Sequence, residues 1–144
     1  MADREWTRHL LPLPKQFEVV GTVLCAHDAI TVVSRDDSEA LQEASRHLRR
    51  AIGVETSARC DFTIELIVAG QDTPEARSLI ELPNSDQAYR VEVAAPDRLR
   101  IIGLQAPGVL YGALTLGQLL CAGRRPDGIE IPLIEVLDWP DLEE

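Results

Sequence analysis

The stretch IIGLQAPGVLYGALTLGQLLCAG, residues 101–123, narrows most what this chain can fold into. It reads as a strand running into an apolar helix from Pro107 to about Ala122, with the proline acceptable in the first turn, where backbone N–H groups have no intrahelical partner. The helix carries Gly108, Gly112 and Gly117, and each glycine costs about 1 kcal/mol relative to alanine. A helix that tolerates this is built for close packing, and almost none of its side chains can do chemistry. Gly108 and Gly112 lie four residues apart on one face, where a missing side chain lets a neighbouring backbone approach. Leu110, Leu114, Leu116, Leu119 and Leu120 spread over more than one stripe, which implies burial on more than one side. Packing on the chain's own sheet is the first expectation, and contact with a second domain is the alternative.

A chain of 144 residues with 45% hydrophobic residues has enough material for one domain with a core of its own. Phe17 to Leu24 and Ile30 to Val33 are rich in β-forming residues, with AHDA, residues 26–29, as the turn between them. Asp36 followed by Glu39 resembles a capping box. Leu41, Ala44, Leu48, Ala51 and Ile52 then follow at helical spacing, and Gly53 suits a left-handed stop. In DFTIELIVAG, Phe62, Ile64, Leu66 and Val68 share one face and Ile67 makes the other apolar, as expected of a strand inside a sheet. QDTPEARSLIELPNSD reads as a loop or short irregular helix. Tyr89, Val91 and Val93 alternate with polar residues, APDR turns, and Leu99 to Leu104 returns as a hairpin. GIEIPLIEVLDWP is extended, and Pro132 marks it as an edge or irregular strand. The order β-β-α-β-β-β-α-β predicts an α+β or α/β fold with a mixed sheet.

The residues exclude several kinds of chemistry. Fourteen basic against 24 acidic residues give a net charge of −10, and the densest basic run, RHLRR at 46–50, falls on a helix among acidic neighbours as a solvated face. Nucleic acid and anionic membrane are therefore poor partners. Cys25, Cys60 and Cys121 are far apart and odd in number, and they read as free, buried small hydrophobes. His9, His27 and His47 form no ligand-spaced pair, so no metal or cofactor is expected. GLQAPGVLYG places glycines at a strand–helix junction, but the loop brings no Lys or Arg to hold a phosphate. Asp36-Asp37 and Glu143-Glu144 are paired carboxylates that capping and a solvated tail explain. None of the serines sits in a nucleophile-elbow context. No run reaches the roughly 20 apolar residues of a membrane span, and the N-terminus lacks a secretion signal. The default location is cytoplasmic, although a chain trimmed of its signal would read the same.

LLPLPKQFEVVG, QAYRVEV, LRIIGLQAPGVLYGALTLGQLL and the closing IPLIEVLDWP, in this order and spacing, resemble the N-terminal non-catalytic domain of family 20 glycoside hydrolases, the β-N-acetylhexosaminidases. The resemblance covers roughly residues 10–142. Its most specific block is Gly108, Tyr111, Gly112, Thr115, Leu116 and Gln118-Leu119-Leu120, followed by Asp138-x-Pro140. Accessory domains of family 67 and family 84 glycosidases share the architecture. The resemblance implies an α+β domain, a mixed β-sheet with two helices packed on one face, zincin-like without the metal site. It further implies that this domain buttresses a C-terminal (β/α)8 catalytic barrel of the same polypeptide, which supplies the catalytic Asp-Glu pair, so no residue here takes a catalytic role. The expected organisation is an extended segment at 1–16, the accessory domain at 17–137, and a junction at 138–144 to a barrel outside this chain.

The residues expected at the interdomain interface are Gly108, Tyr111, Gly112, Leu114, Thr115, Trp139 and Pro140. An apolar face exposed there is also open to self-association. Two other readings compete. A free-standing carbohydrate- or protein-binding module would want an aromatic platform, yet aromatics are only 4% of residues and are scattered along the chain. A small independent enzyme would want a cluster of titrating groups that the sequence does not show.

Overall fold

The computed structural model of the chain describes residues 6, 8, 10, 14–34, 38–53, 60–69 and 73–140. Among these residues seven strands form one mixed sheet: β1 (Gln16–Cys25), β2 (Ile30–Ser34), β3 (Phe62–Val68), β4 (Tyr89–Ala95), β5 (Arg98–Gly103), β6 (Arg124–Arg125) and β7 (Gly128–Asp138). Among the described residues three α-helices accompany them: α1 (Glu39–Ile52), α2 (Arg77–Ile80) and α3 (Ala106–Ala122). The sheet order is β1-β7-β4-β5-β3-β2, with β6 paired to β7. The fold is α+β, as expected, and the predicted elements all appear within a residue or two of their expected limits.

The two long helices pack together on one face of the sheet. Their partners are Phe62, Ile64, Leu66, Val91, Leu99, Ile101, Ile134 and Val136, all buried in the main core. The opposite face carries a smaller core of Ile67, Ala69, Ala76, Leu79, Ala88, Ile102 and Leu104, with Leu82, Leu137 and Trp139 beside it. The one-turn helix α2 and its flanking 3-10 turns cover that face, so the region expected as loop or irregular helix provides a third, short helical element. β3 runs between β2 and β5, parallel to both, which explains why both of its faces are apolar.

β1 and β2 are consecutive in sequence yet stand at opposite ends of the sheet order. Five strand-to-strand steps would separate them by about 24 Å in a flat sheet, whereas the residues from Cys25 to Ile30 reach at most about 18 Å. The sheet must therefore coil. β7 meets β4 only at Tyr89↔Asp138, Arg90↔Leu137 and Val91↔Val136, while β1 follows β7 along its whole length, from Gln16↔Leu137 to Cys25↔Ile129. The β1–β7 ribbon turns away from the rest and brings its far end round towards β2. Trp6 and Leu10, from the segment before β1, share the main core with Ile129, Ile131 and Ile134.

Three local expectations are corrected. Of the two readings of Pro132, the edge strand is corrected, because β7 lies between β1 and β4 in the order, whereas the irregular strand agrees with a register shift against β1 between Val19 and Gly21, beside Pro132. The Glu130 N–H points away from β1 to the Gly123 carbonyl. Two residues on, facing the same side where β4 does not follow, Pro132 has no N–H to leave unpaired. The N-cap of α1 is Ser38, whose Oγ accepts the Leu41 N–H at 3.3 Å; Asp36 lies outside the described residues, as do Asp37, His9 and residues 141–144. Only Cys25 is buried, whereas Cys60 and Cys121 are exposed.

The helix glycines have physical neighbours. A Cβ at Gly108 would lie 2.2 Å from the Ala88 carbonyl oxygen, and one at Gly112 would lie 2.5 Å from Ile101 Cγ2 and 3.0 Å from Tyr89 Cδ2. At Gly117 the nearest atom is the far end of a side chain, His47 Nε2 of α1, at 2.7 Å. Gly108→Ala should therefore destabilise the chain by roughly 2–3 kcal/mol despite the gain in helix propensity, because a backbone must move. Gly117→Ala should cost clearly less, since an imidazole can swing aside. Denaturant unfolding of the two variants checks the order; equal losses would show that side-chain crowding, and not the Ala88 backbone, sets the spacing.

Candidate functional site

The sheet register places the site. Tyr89 opens β4 opposite Asp138 at the end of β7, and α3 crosses above them. Because Gly112 leaves room for the Tyr89 ring, the phenol reaches along α3 to Thr115, three residues further on, with 2.6 Å between the two oxygens. The Tyr89 hydroxyl also donates to Asp138 Oδ2 at 3.4 Å. The other oxygen of Asp138 accepts the Lys15 N–H at 3.1 Å, and Lys15 Nζ donates to the Trp139 carbonyl at 2.6 Å. The Lys15 ammonium stands 5.3 Å from the Trp139 ring centroid, within cation–π range.

The strand entering the fold and the segment leaving it are thus fastened side by side to α3. Alternation along the strand sends Asp138 towards the helix layer and Trp139 towards the smaller core on the opposite face. Asn84 Nδ2 donates to the Pro140 carbonyl at 2.9 Å. Asn84 holds a left-handed backbone with φ of 53°, a conformation that asparagine tolerates better than most residues.

Burial is the main cause that pushes the Tyr89 phenol well above its ordinary value; the Thr115 hydrogen bond offsets part of this, and the Asp138 carboxylate adds to it.

The expected interface residues divide into two groups. Gly108 and Gly112 are buried against this chain's own strands, so their small size serves packing within the domain. Thr115, Trp139 and Pro140 join the fastened exit, whereas Tyr111 and Leu114 are exposed, at 41% and 38%. With Pro107 and Cys121 they form an outward stripe on α3, at 107, 111, 114 and 121, that carries no charge. The exposed side of α1 has Glu39, Gln42, Glu43, Arg46, Arg49 and Arg50. Lys15 and Asn84 have no sequence context that singles them out, and Tyr89 was legible only as an alternating strand residue. Asp138 was legible only as part of a junction motif.

The outer face of the sheet is charged and internally paired. Glu65 accepts from Arg98 and Arg100 at 3.2 Å each, and Arg100 also reaches Glu92 at 3.4 Å. Arg90 lies 3.6 Å from Glu92 and 3.7 Å from Glu135, whose other oxygen accepts the Val93 N–H. These carboxylates link strands and are held by arginines, an arrangement suited to register more than to proton transfer. An open cavity of about 460 Å³ at the far end is lined by His27, Ile52, Gly53, Arg124, Arg125 and Pro126. Its arginines donate to the Arg50 and Ala122 carbonyls, at the C-terminal ends of α1 and α3. Among the described residues no three His, Cys, Asp or Glu side chains are grouped to hold a metal ion. No helix among them is long and apolar enough to cross a membrane.

Residues 7–139 match the protein family described as glycosyl hydrolase family 20, domain 2. Similar solved structures include the N-acetyl-β-hexosaminidase of Streptomyces plicatus, at 20% identity and a TM-score of 0.62, covering 90% of this chain and 26% of that one. The β-N-acetylhexosaminidase of Bacteroides fragilis is 19% identical with a TM-score of 0.57, over 90% of this chain and 24% of that one. A family 20 β-N-acetylglucosaminidase reaches 26% identity and a TM-score of 0.58, over 90% and 22%. The chain spans about a quarter of the length of these structures. No curated protein matches it.

Two measurements test the geometry. Tyr89 keeps its proton in the folded chain after an unfolded tyrosine, near pH 10, has lost it. Stability should accordingly fall above about pH 10 by up to ~1.4 kcal/mol per pH unit, and Tyr89→Phe should flatten that limb while costing about 1 kcal/mol at neutral pH. An unchanged alkaline limb would contradict the buried phenol. Thiol titration of the native chain should count Cys60 and Cys121 and reach Cys25 only on unfolding. Cys60 should react faster, because hydrogen bonds with Thr63 and Thr31 draw its thiol below the usual range.

Proposed function

This chain belongs to the domain 2 family of the family 20 glycosyl hydrolases, and we propose that it is the non-catalytic accessory domain of a β-N-acetylhexosaminidase-like enzyme, braced against a (β/α)8 catalytic barrel that follows Pro140 in the same polypeptide. The observation that carries the reading is the uncharged stripe of Tyr111 and Leu114 on α3, beside Thr115, which is tied through Tyr89 to the exit at Asp138. A chain segment leaving after Asp138 is linked through Tyr89 to Thr115, the neighbour of Leu114 in that helix. The charged side of α1 and the ion-paired ladder over β3, β5, β4 and β7 suit water; β1 also exposes Val20 and Leu24, but the α3 stripe is the apolar surface joined to the exit through Thr115, Tyr89 and Asp138.

The function of such a domain is mechanical. It covers apolar surface and fixes a direction, and hydrolysis of the N-acetylhexosaminide belongs to the barrel's carboxylates. The competing reading, a free-standing carbohydrate-binding module, has less support: among the described aromatic side chains only Tyr111 is exposed, and one ring is a small platform for a sugar.

Leu114→Asp separates the readings. In the 144-residue chain it should stay within about 0.5 kcal/mol of the parent, as surface substitutions do. In the polypeptide extended through the barrel it should lower the melting temperature by several degrees and reduce turnover of a chromogenic N-acetylglucosaminide. Full stability and activity in that longer protein would overturn the proposal. Saturable binding of chitooligosaccharides by the 144-residue chain, lost with Tyr111→Ala, would establish the module instead.

A further inference from the structure

Asp138 is joined to both ends of the fold and to its outer helix. It pairs with Tyr89 across β4 and β7, accepts the phenol proton at 3.4 Å through one oxygen, and accepts the Lys15 N–H at 3.1 Å through the other. The phenol oxygen is 2.6 Å from Thr115 Oγ1. When Tyr89 donates to Asp138, its oxygen is left to accept, and Thr115 becomes the donor to it. The hydrogen bonds then run in one direction, from α3 through Tyr89 to the carboxylate one residue before Trp139.

Tyr89 has 3% of its surface exposed, so this chain of polar contacts sits where each lost partner is felt by the next. Trp139 depends on the same point from the other side, through the Lys15 ammonium on its carbonyl and over its ring.

We infer that Asp138 is a positioning residue that couples the docking helix to the outgoing peptide: the rotamer of Thr115 on α3 is transmitted through Tyr89 and Asp138 to the orientation of Trp139. Whatever seats on the outward stripe of α3 presses on Thr115, the neighbour of Leu114, and thereby sets the direction in which the chain leaves the domain. That consequence rests on the proposed function, whereas the coupling belongs to this chain alone and is tested on it.

The chain contains two tryptophans, so incorporation of 5-fluorotryptophan gives two fluorine resonances, assigned by Trp139→Phe. Thr115→Val, which removes the hydroxyl and keeps the shape, should move the Trp139 resonance by more than its linewidth and leave that of Trp6 in place. Thr115→Ser, which restores the hydroxyl, should return it. Asp138→Asn should move the Trp139 resonance in the same direction and further. If Thr115→Val leaves Trp139 unmoved while Asp138→Asn shifts it, the carboxylate acts locally and the coupling to α3 is wrong. If both resonances shift together, or Thr115→Ser fails to restore the signal, the effect is a general loosening and the inference falls. Should Asp138→Asn not fold, Tyr89→Phe breaks the same path and must give the Thr115→Val result. A failed docking test in the longer protein would leave this outcome unaffected, and the reverse also holds.

Discussion

The approach of α3 to the sheet at Gly108 governs the rest of the molecule. With no Cβ between the helix and the Ala88 carbonyl, the axis lies low enough for Val109, Ala113 and Leu116 to be fully buried. At that height the Tyr89 ring fits beneath Gly112 and its hydroxyl meets Thr115. A helix held higher by even a methyl group would separate those oxygens and take from the phenol the shorter of its two hydrogen bonds, at a cost of about 1 kcal/mol. The glycines thus offset their poor helix propensity twice, through burial and through the polar contact that the burial makes reachable.

Surface charge is distributed according to what each face must do. The ladder from Glu65 through Arg100, Glu92 and Arg90 to Glu135 crosses four strands, but its arginine side chains are 31% and 38% exposed, and pairs of that kind contribute little stability each. Their effect is to keep the outer face wetted and the strands in register. Glu135 also supplies an acceptor for Val93 where β4 has parted from β7. The stripe on α3 is the contrast: it belongs to a helix whose other sides are buried, and it alone among these surfaces lacks charge.

Much of the fold was legible because its causes are local. The period of Leu41, Ala44, Leu48, Ala51 and Ile52 marks α1, and the doubly apolar β3 marks itself as interior; both follow from side-chain spacing along one segment. The hairpin β4–β5 needs only its alternation and the turn at Pro96-Asp97. The candidate site was half legible. Tyr111 and Leu114 are exposed as a second contact would require, and the junction motif drew attention to Trp139 and Pro140. Gly108 and Gly112 were open to two meanings, since a small residue invites any neighbour, and the neighbour turned out to be the chain itself.

The sequence by itself determined which segments become helix or strand, that the helix after Pro107 would be packed closely, and to which family the chain belongs, because spacing and composition within short stretches settle those matters. Only the tertiary structure decided that β1 and β2 stand at opposite edges of a coiled sheet, that Trp6 fills the core, that Cys60 and Cys121 face outwards, and that Lys15, Tyr89, Thr115 and Asp138 meet. The reason is physical: those arrangements depend on how far a short connection can reach round a twisted sheet and on which distant side chains then arrive within 3 Å or so of one another, and neither quantity is carried by any single stretch of residues.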